Sequence, residues 1–364
     1  MTLLNEVFSL PSAASPLVNT PHDSLITDDR VGVEVELEGI TQSTRGLTRE
    51  VDPRWKVVED GSLRNYGREF VFKEPMFGTD VVETIDSLQD TFDNNDIEPL
   101  CSNRCSVHVH LDVRDLEYEQ LLSLVVVYLL CEPYFFAVGG EERRHNMYSM
   151  PLATSEDYLT KLGDALRNPT IDNGGFVFRN HINRDVKYSA FNVAPVITQG
   201  SVEFRHHRGE WRLEPLLLWI NMVLGVKRYV RSIGTQTMTP EYIDHLVNGG
   251  YDEFIGEVFK GIPIPTTVDG WGNAAKVAKK VSCRAQGIDD APVFLVPEEV
   301  EERNLFIIAN RNVGREKLRD YQLWSTRMYD RYGRDREIAP VGWTPLNRYL
   351  NMVIDGDEET LGGV

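Results

Sequence analysis

The chain has 364 residues, of which 41% are apolar and 26% charged. That is the make-up of an ordinary globular protein with room for one large domain or two. With 56 acidic residues against 38 basic ones, the formal charge is −18, which excludes a broad phosphate-binding footprint, so neither nucleic acid nor an anionic membrane surface is expected as a partner.

The start, MTLLNEVFSLPSAASPL, lacks the basic region and long apolar core of a secretory signal. No apolar run reaches ~18 residues, so no membrane-spanning helix is expected. The four cysteines, Cys101, Cys105, Cys131 and Cys283, suit a reducing cytoplasm, which is the expected location. Cys101 and Cys105 lack the second close pair that a structural zinc site needs.

Residues 1–29, rich in Ser, Pro, Thr and Asp, read as an arm. VGVEVELEG (31–39) alternates as a strand, and TQSTRGLTRE (41–50) reads as a loop. WKVVEDGSL (55–63) is a short strand ending in an Asp-Gly turn, and REFVFKEP (68–75) is another, closed by Pro75. TDVVETIDSLQDTF (79–92) has helical periodicity, with Thr79 or Asp80 as its cap. CSVHVHLDV (105–113) alternates again. The stretch 116–140 predicts a long buried helix, bent or ended near Pro133 and stopped by Gly139 and Gly140. SEDYLTKLGDALRN (155–168) predicts an amphipathic helix, VKYSAFNVAPVI (186–197) and GSVEFRHHRG (200–209) two adjacent strands, and 214–233 a buried helix. Beyond residue 235 the pattern is helical, with Gly- and Pro-containing turns, in PEYIDHLVNGGYDEFIGEVFKG, GNAAKVAKKVSCRAQG, PEEVEERNLFIIANRN and REKLRDYQLWSTRMYDRYG. The expected fold is α+β with a largely antiparallel sheet. It divides into an arm (1–29), a catalytic-type domain (30–234) and a helical region (235–364).

Side chains alternate across a strand, so Glu34, Glu36 and Glu38 share one face of the first strand. Two such charges roughly 7 Å apart repel by about 2 kcal/mol at an effective dielectric near 20. A solvated edge would tolerate this, but three further strands carry matching chemistry. Glu69 lies on one. His108, His110 and Asp112 share a face of the next. Glu203, Arg205 and His207 share a face of the last, opposite Val202, Phe204 and His206. Solvent-facing strands usually carry Lys, Thr, Ser and Gln, whereas these carry Glu, His and one Arg. Glu oxygens and His nitrogens are ligands for Mg²⁺ or Mn²⁺, and a cation there would offset the repulsion. Such a site with arginines suits nucleotide phosphoryl transfer. The candidate arginines are Arg64, Arg68, Arg143, Arg144, Arg205 and Arg208, with Arg205 best placed. Neither GxxxxGK[ST] nor GxGxxG occurs.

The ordered set VGVEVELEG, EDGSLRNYGREFVF, CSVHVHLDV, KYSAFNV and SVEFRHHRGEW, ending in an LLLWI helix, resembles the amidoligase family over residues 30–233. These are ATP-dependent carboxylate–amine ligases similar to glutamine synthetase and glutamate–cysteine ligase. The resemblance implies a curved antiparallel sheet with outer helices, like the glutamine synthetase catalytic domain. It implies ATP with Mg²⁺ or Mn²⁺ as cofactors. Metal ligands carry over to Glu34, Glu36, His108 and Glu203, with Glu69 as a further ligand or substrate-side catalytic carboxylate. His110 would lie near the ATP phosphates, and Arg205 would be the catalytic, phosphate-binding arginine. Asp60, counted with the catalytic groups, and Ser62 match a further loop. Lys187, Tyr188 and Asn192 fall in a substrate-facing strand, Lys187 and Arg143 being counted with the nucleotide site. Arg143 and Arg144 could also form a lid or clamp a substrate carboxylate. Where many members have Thr after the final glycine, this chain has Glu210.

The implied reaction phosphorylates a carboxylate and lets an amine displace the phosphate, with Glu38 or Asp112 as candidate bases. The substrates would be an acid and an amine: an amino acid, a polyamine, or a peptide or protein side chain. An oligomer is compatible with such a fold. Two alternatives stay open at this point, a metal-dependent hydrolase with zinc-activated water and an inactive binding module on the same scaffold.

Overall fold

The computed structural model describes residues 3–12, 21–146, 148–154, 159, 163, 189–234 and 238–288. Six strands form one open sheet: β1 (Val31–Leu37), β2 (Trp55–Val58), β3 (Arg68–Phe72), β4 (Ser106–Asp112), β5 (Phe191–Asn192) and β6 (Ser201–Arg208). Their spatial order is β2-β3-β1-β4-β6-β5, and every neighbouring pair is antiparallel. The fold is therefore α+β. The helices are α1 (Leu4–Val7), α2 (Thr44–Glu50), α3 (Thr79–Asn94), α4 (Tyr118–Gly139), α5 (Leu213–Ile233), α6 (Pro240–His245), α7 (Tyr251–Val258) and α8 (Trp271–Ala285).

The apolar half of each alternation builds the core. Val33, Val35, Val107, Val109, Leu111, Val202 and Phe204 are fully buried, on the sheet face covered by α4 and α5. Each such side chain contributes about 1.5–3 kcal/mol. α4 lies between the sheet and α8, so it is apolar on all sides. By length and composition it is apolar enough to cross a membrane, but 89% of its most apolar window is buried within the fold, and it serves as the central core helix.

Several local expectations change. Residues 44–50 are a helix, not a loop: the Ser43 hydroxyl accepts from the Gly46 N–H, and Leu47 is driven into the core. α3 is capped by Gly78 at φ 55°, not by Thr79 or Asp80. α4 does not end near Pro133 but runs through it to Gly139, and three residues before the proline the Leu130 carbonyl accepts the Tyr251 hydroxyl at 2.7 Å. Residues 186–188 of the strand expected at 186–197 lie outside the described residues, and of the rest only Phe191–Asn192 is strand, because the next residues wind into a 3-10 turn around Pro195. The helical stretch after residue 239 breaks at Asn248 and Gly249, which separates α6 from α7. The start of the arm is docked: Leu4 and Phe8 are buried, and the Leu4 N–H donates to the Leu116 carbonyl at 2.8 Å. Of the helix expected at 155–168 only Leu159 and Gly163 are described, both helical and buried, and the helices expected beyond residue 289 lie outside the described residues.

One departure bears on the site. From Ser201 to Phe204, β6 pairs with β4 in one register, and from His207 it pairs in another shifted by one residue. Arg205 and His206 together therefore oppose His108, forming a β-bulge. The bulge breaks the period of two. Arg205 stays with Glu203, but the His207 ring packs 4.8 Å from that of Trp219 on α5, as His206 does at 4.9 Å. His207 thus belongs to the core, not to the face of Glu203 and Arg205.

Candidate active site

The opposite sheet face collects the polar half of the strands. Strand register sets the neighbours: Glu34 lies opposite His108, Glu36 opposite Glu69, and His110 opposite Glu203. The distances follow from that register. His108 Nδ1 lies 2.9 Å from Glu34 Oε2 and 3.5 Å from Glu203 Oε1, and His110 Nε2 lies 3.5 Å from Glu34 Oε1 and 3.8 Å from Glu203 Oε1.

Glu34, His110 and Glu203 each offer a ligand atom, and these atoms lie within 4.8 Å of one another. Two carboxylates and an imidazole form a donor set that fits Mg²⁺ or Mn²⁺. His108 sits between them, with its Nε2 2.8 Å from the Ser106 hydroxyl. That hydroxyl also donates to Glu36. Outer partners orient the group: Asn192 donates to Glu203 Oε2 at 2.7 Å, and Ser201 Oγ is 3.2 Å from His110 Nδ1. Arg205 pairs with Glu203, and its Nε reaches the Tyr148 carbonyl at 3.4 Å.

The electrostatics show how crowded the face is. Burial works to raise the Glu34 carboxyl, but hydrogen bonds from His108 and His110 outweigh it and hold Glu34 well below the usual range. Burial likewise opposes ionisation of Glu203, while Arg205 and the two histidines keep it low. Glu36 is pushed up, chiefly by burial. Glu69 is pushed up to about 8 by burial and by the charges of Glu34, Glu36 and Asp60. Burial alone would lower the proton affinity of His110, but the Glu34 and Glu203 carboxylates raise it.

The remaining candidates have structural partners. Glu38 accepts the Arg64 N–H at 2.7 Å and so anchors the loop after Asp60. Asp112 forms an ion pair with Arg114 at 2.7 Å. The Arg68 guanidinium donates to the Gly67 and Gln42 carbonyls. Arg144 pairs with Glu141 and lies over the Phe136 ring. Arg208 is exposed, and Glu210 is buried against Arg212. Asp60 accepts the Ser62 N–H and, with Ser62, lines a cavity shared with Glu36, His108 and Arg205. Lys187 and Tyr188 lie outside the described residues. The sequence reading missed Ser106 and Ser201, although both are in phase with the histidine and glutamate of their strands, and it missed Arg104, a loop residue that lines the same cavity.

A model of the family described as "putative amidoligase enzyme" matches residues 31–226, more than half of the chain. The chain belongs to the amidoligase family. The matched span opens on the first residue of β1 and ends within α5, so it contains every strand of the sheet and all the polar groups placed above. Helices α6–α8 follow the amidoligase span and pack onto its core helix α4 or its neighbours. A comparison with curated proteins gives no match.

Proposed function

We propose that this amidoligase is an ATP-dependent carboxylate–amine ligase working through an acyl phosphate, on a sheet comparable to the glutamine synthetase catalytic domain. The observation that carries the reading is the Glu34–His110–Glu203 donor group standing directly beside Arg205, in a chain of this family. Carboxylates do not condense with amines in water, because oxide is a poor leaving group. Phosphorylation converts that oxygen into phosphate, which an amine can displace.

Glu34, His110 and Glu203 would hold Mg²⁺ or Mn²⁺, with Glu36, Glu69 and His108 adjoining. Bound there, a divalent cation supplies charge neutralisation on the phosphate oxygens. The protein's own groups then have distinct tasks. Arg205, fixed by Glu203 and the Tyr148 carbonyl, faces the negative charge that builds on the transferred phosphoryl. Asn192 and Ser201 orient Glu203 and His110.

The test is phosphate release from Mg-ATP or Mn-ATP with a panel of acids and amines, using Glu34→Gln and Arg205→Ala as controls. Release that needs both an acid and an amine, and that both variants lose, is expected. Absence of release, together with tightly bound stoichiometric zinc, would turn the assignment to a metal-dependent hydrolase. Absence of both release and nucleotide binding would leave a non-catalytic scaffold.

A further inference from the structure

His206 is an imidazole set among aromatic rings. It is fully buried and lies between Tyr128, Phe135 and Phe136 of α4 and Trp219 of α5, with ring centroids 5.9, 5.5, 4.8 and 4.9 Å away. Burial holds its proton affinity well below the usual histidine range, so the ring is neutral and carries one N–H. Nδ1 lies 3.0 Å from the Ala190 carbonyl oxygen, which fixes that N–H on Nδ1. Nε2 is then a bare acceptor, and among the described residues it has no hydrogen-bond partner. A buried ring nitrogen without a partner costs stability, and leucine or phenylalanine would fill the same surroundings without that cost. What the imidazole adds is the bond to Ala190.

The same carbonyl holds Arg205. The Ala190 oxygen also accepts the Arg205 N–H at 2.8 Å, so both residues of the β-bulge are tied to one atom. From there a ring of hydrogen bonds closes through the guanidinium. The Ala190 N–H donates to the Met150 carbonyl at 2.7 Å, and in the same segment the Tyr148 carbonyl accepts Arg205 Nε at 3.4 Å. The Arg205 carbonyl takes a long bond of 3.5 Å, from Arg143. A bulge disrupts the ladder that holds an ordinary strand residue, so the peptide joining Arg205 to His206 can turn unless it is fixed on the core side. The His206 side chain supplies that fixture. It binds the second residue of the bulge to the acceptor that already holds the first, and its ring is locked by four neighbours. With the peptide fixed, the Arg205 side chain leaves on the site face and meets Glu203.

We propose that His206 is the positioning residue of Arg205, a core histidine that sets the guanidinium beside Glu203 through the Ala190 carbonyl. The proposal rests on the ligase reading above, which gives Arg205 its task at the transferred phosphoryl. His206 contributes preorganisation: a guanidinium already aimed at the developing charge needs no reordering as that charge builds. Loss of the tie therefore lowers turnover rather than nucleotide binding. An apolar replacement removes the tie without stranding Ala190, whose oxygen keeps the Arg205 N–H.

The test compares His206→Phe, His206→Leu and His206→Asn in the full chain. Three quantities are read: the Arg205 Nε–H signal in nitrogen-15 NMR spectra, assigned by its loss in Arg205→Lys; the kinetics of phosphate release from Mn-ATP; and the urea midpoint. In His206→Phe the Arg205 signal is expected to shift and to exchange with solvent at least tenfold faster. Its kcat should fall at least tenfold with the KM for Mn-ATP within twofold, while the urea midpoint is no lower than that of wild type. A merely structural histidine would give the reverse, a lower midpoint with the signal unmoved. His206→Asn keeps an N–H donor where Nδ1 lies. It is expected to hold the signal in place and to keep kcat within threefold of wild type, although it fills the aromatic surroundings less well. His206→Leu carries the comparison should phenylalanine prove too large for the site. An unmoved Arg205 signal in the apolar variants would overturn the proposal, as would a moved signal with kcat within twofold of wild type. An asparagine variant that folds yet behaves like the apolar ones would overturn it too, and so would loss of cooperative unfolding in both apolar variants. Should no acid and amine support release in wild type, the ligase reading fails by itself and the NMR comparison decides the rest. A signal displaced by the apolar variants and kept by asparagine would then uphold the positioning role, and an unmoved signal would overturn it.

Discussion

Glu132 shows how the core supports the rim of the site, and replacing it measures that support. The residue sits on α4 and is 2% exposed. Its carboxylate accepts the Tyr128 hydroxyl at 3.0 Å, the Leu152 N–H at 2.5 Å and the Ala153 N–H at 3.2 Å. Glu132→Ala leaves three buried donors unanswered, at about 1–2 kcal/mol each. Against this, burial pushes the carboxyl up from 4.5 to about 6, so its ionisation opposes folding by about 2 kcal/mol at neutral pH. The net expectation is a loss of about 1–4 kcal/mol. Glu132→Gln isolates the charge. Between pH 4.5 and 6 the folded protein holds a proton that the unfolded chain has lost, so this group's contribution falls as pH rises. Glutamine lacks that term. The advantage of wild type over Glu132→Gln should therefore shrink by about 1.5 kcal/mol from pH 4.5 to 7.5. Urea unfolding followed by tryptophan fluorescence at the two pH values reads both quantities. An alanine variant within 0.5 kcal/mol of wild type would refute the support argument, and a pH-independent glutamine difference would refute the ionisation argument.

Two further substitutions probe the frame of the site. A Cβ on Gly209 would lie 2.6 Å from Cys105 Cβ and 3.2 Å from the Glu36 carbonyl oxygen, so Gly209→Ala should cost about 1–3 kcal/mol and weaken Mn²⁺ binding by displacing Glu36. Unchanged urea midpoints and unchanged Mn²⁺ titrations would contradict this. Lys227 is 1% exposed and joins Asp29 at 2.8 Å, Asp115 at 2.7 Å and the Asp112 carbonyl at 2.6 Å. Lys227→Met strands those partners and should destabilise by about 3–5 kcal/mol, whereas a loss below 1 kcal/mol would show that the network is dispensable.

The strand alternation made much of the site legible. Val33, Val35 and Leu37 against Glu34, Glu36 and Glu38 already separate core from cavity, and HVHLD does the same for β4. Register was not legible, because the pairing of Glu34 with His108 and of His110 with Glu203 joins segments about 70 and 90 residues apart. Helix α2 was hidden by its Thr and Gly residues, which have low helix propensity and are rescued by the Ser43 cap and the burial of Leu47. Arg104 gave no signal as a loop residue, and Arg143, though counted among the candidate arginines, gave no sign of its burial. Only the folding of the 141–145 turn against the 103–105 loop buries them. Ser106 and Ser201 were in phase with the ligand residues, but a hydroxyl on a strand is too common to stand out.

The bulge at Arg205 and His206 acts as a phase shifter in a two-sided strand. Without the extra residue, the alternation that places Glu203 and Arg205 beside the ligand group would carry His207 there as well, and the aromatic packing around Trp219 would lose a ring. With it, two consecutive histidines serve the interior while the arginine just before them serves the chemistry. Removing one residue at this point would leave the hydrogen-bonded sheet able to form, yet it would exchange an always-charged guanidinium for a titratable ring, or move the arginine away from its carboxylate. The length of β6 in this protein is thus as much a chemical constraint as the identity of its side chains.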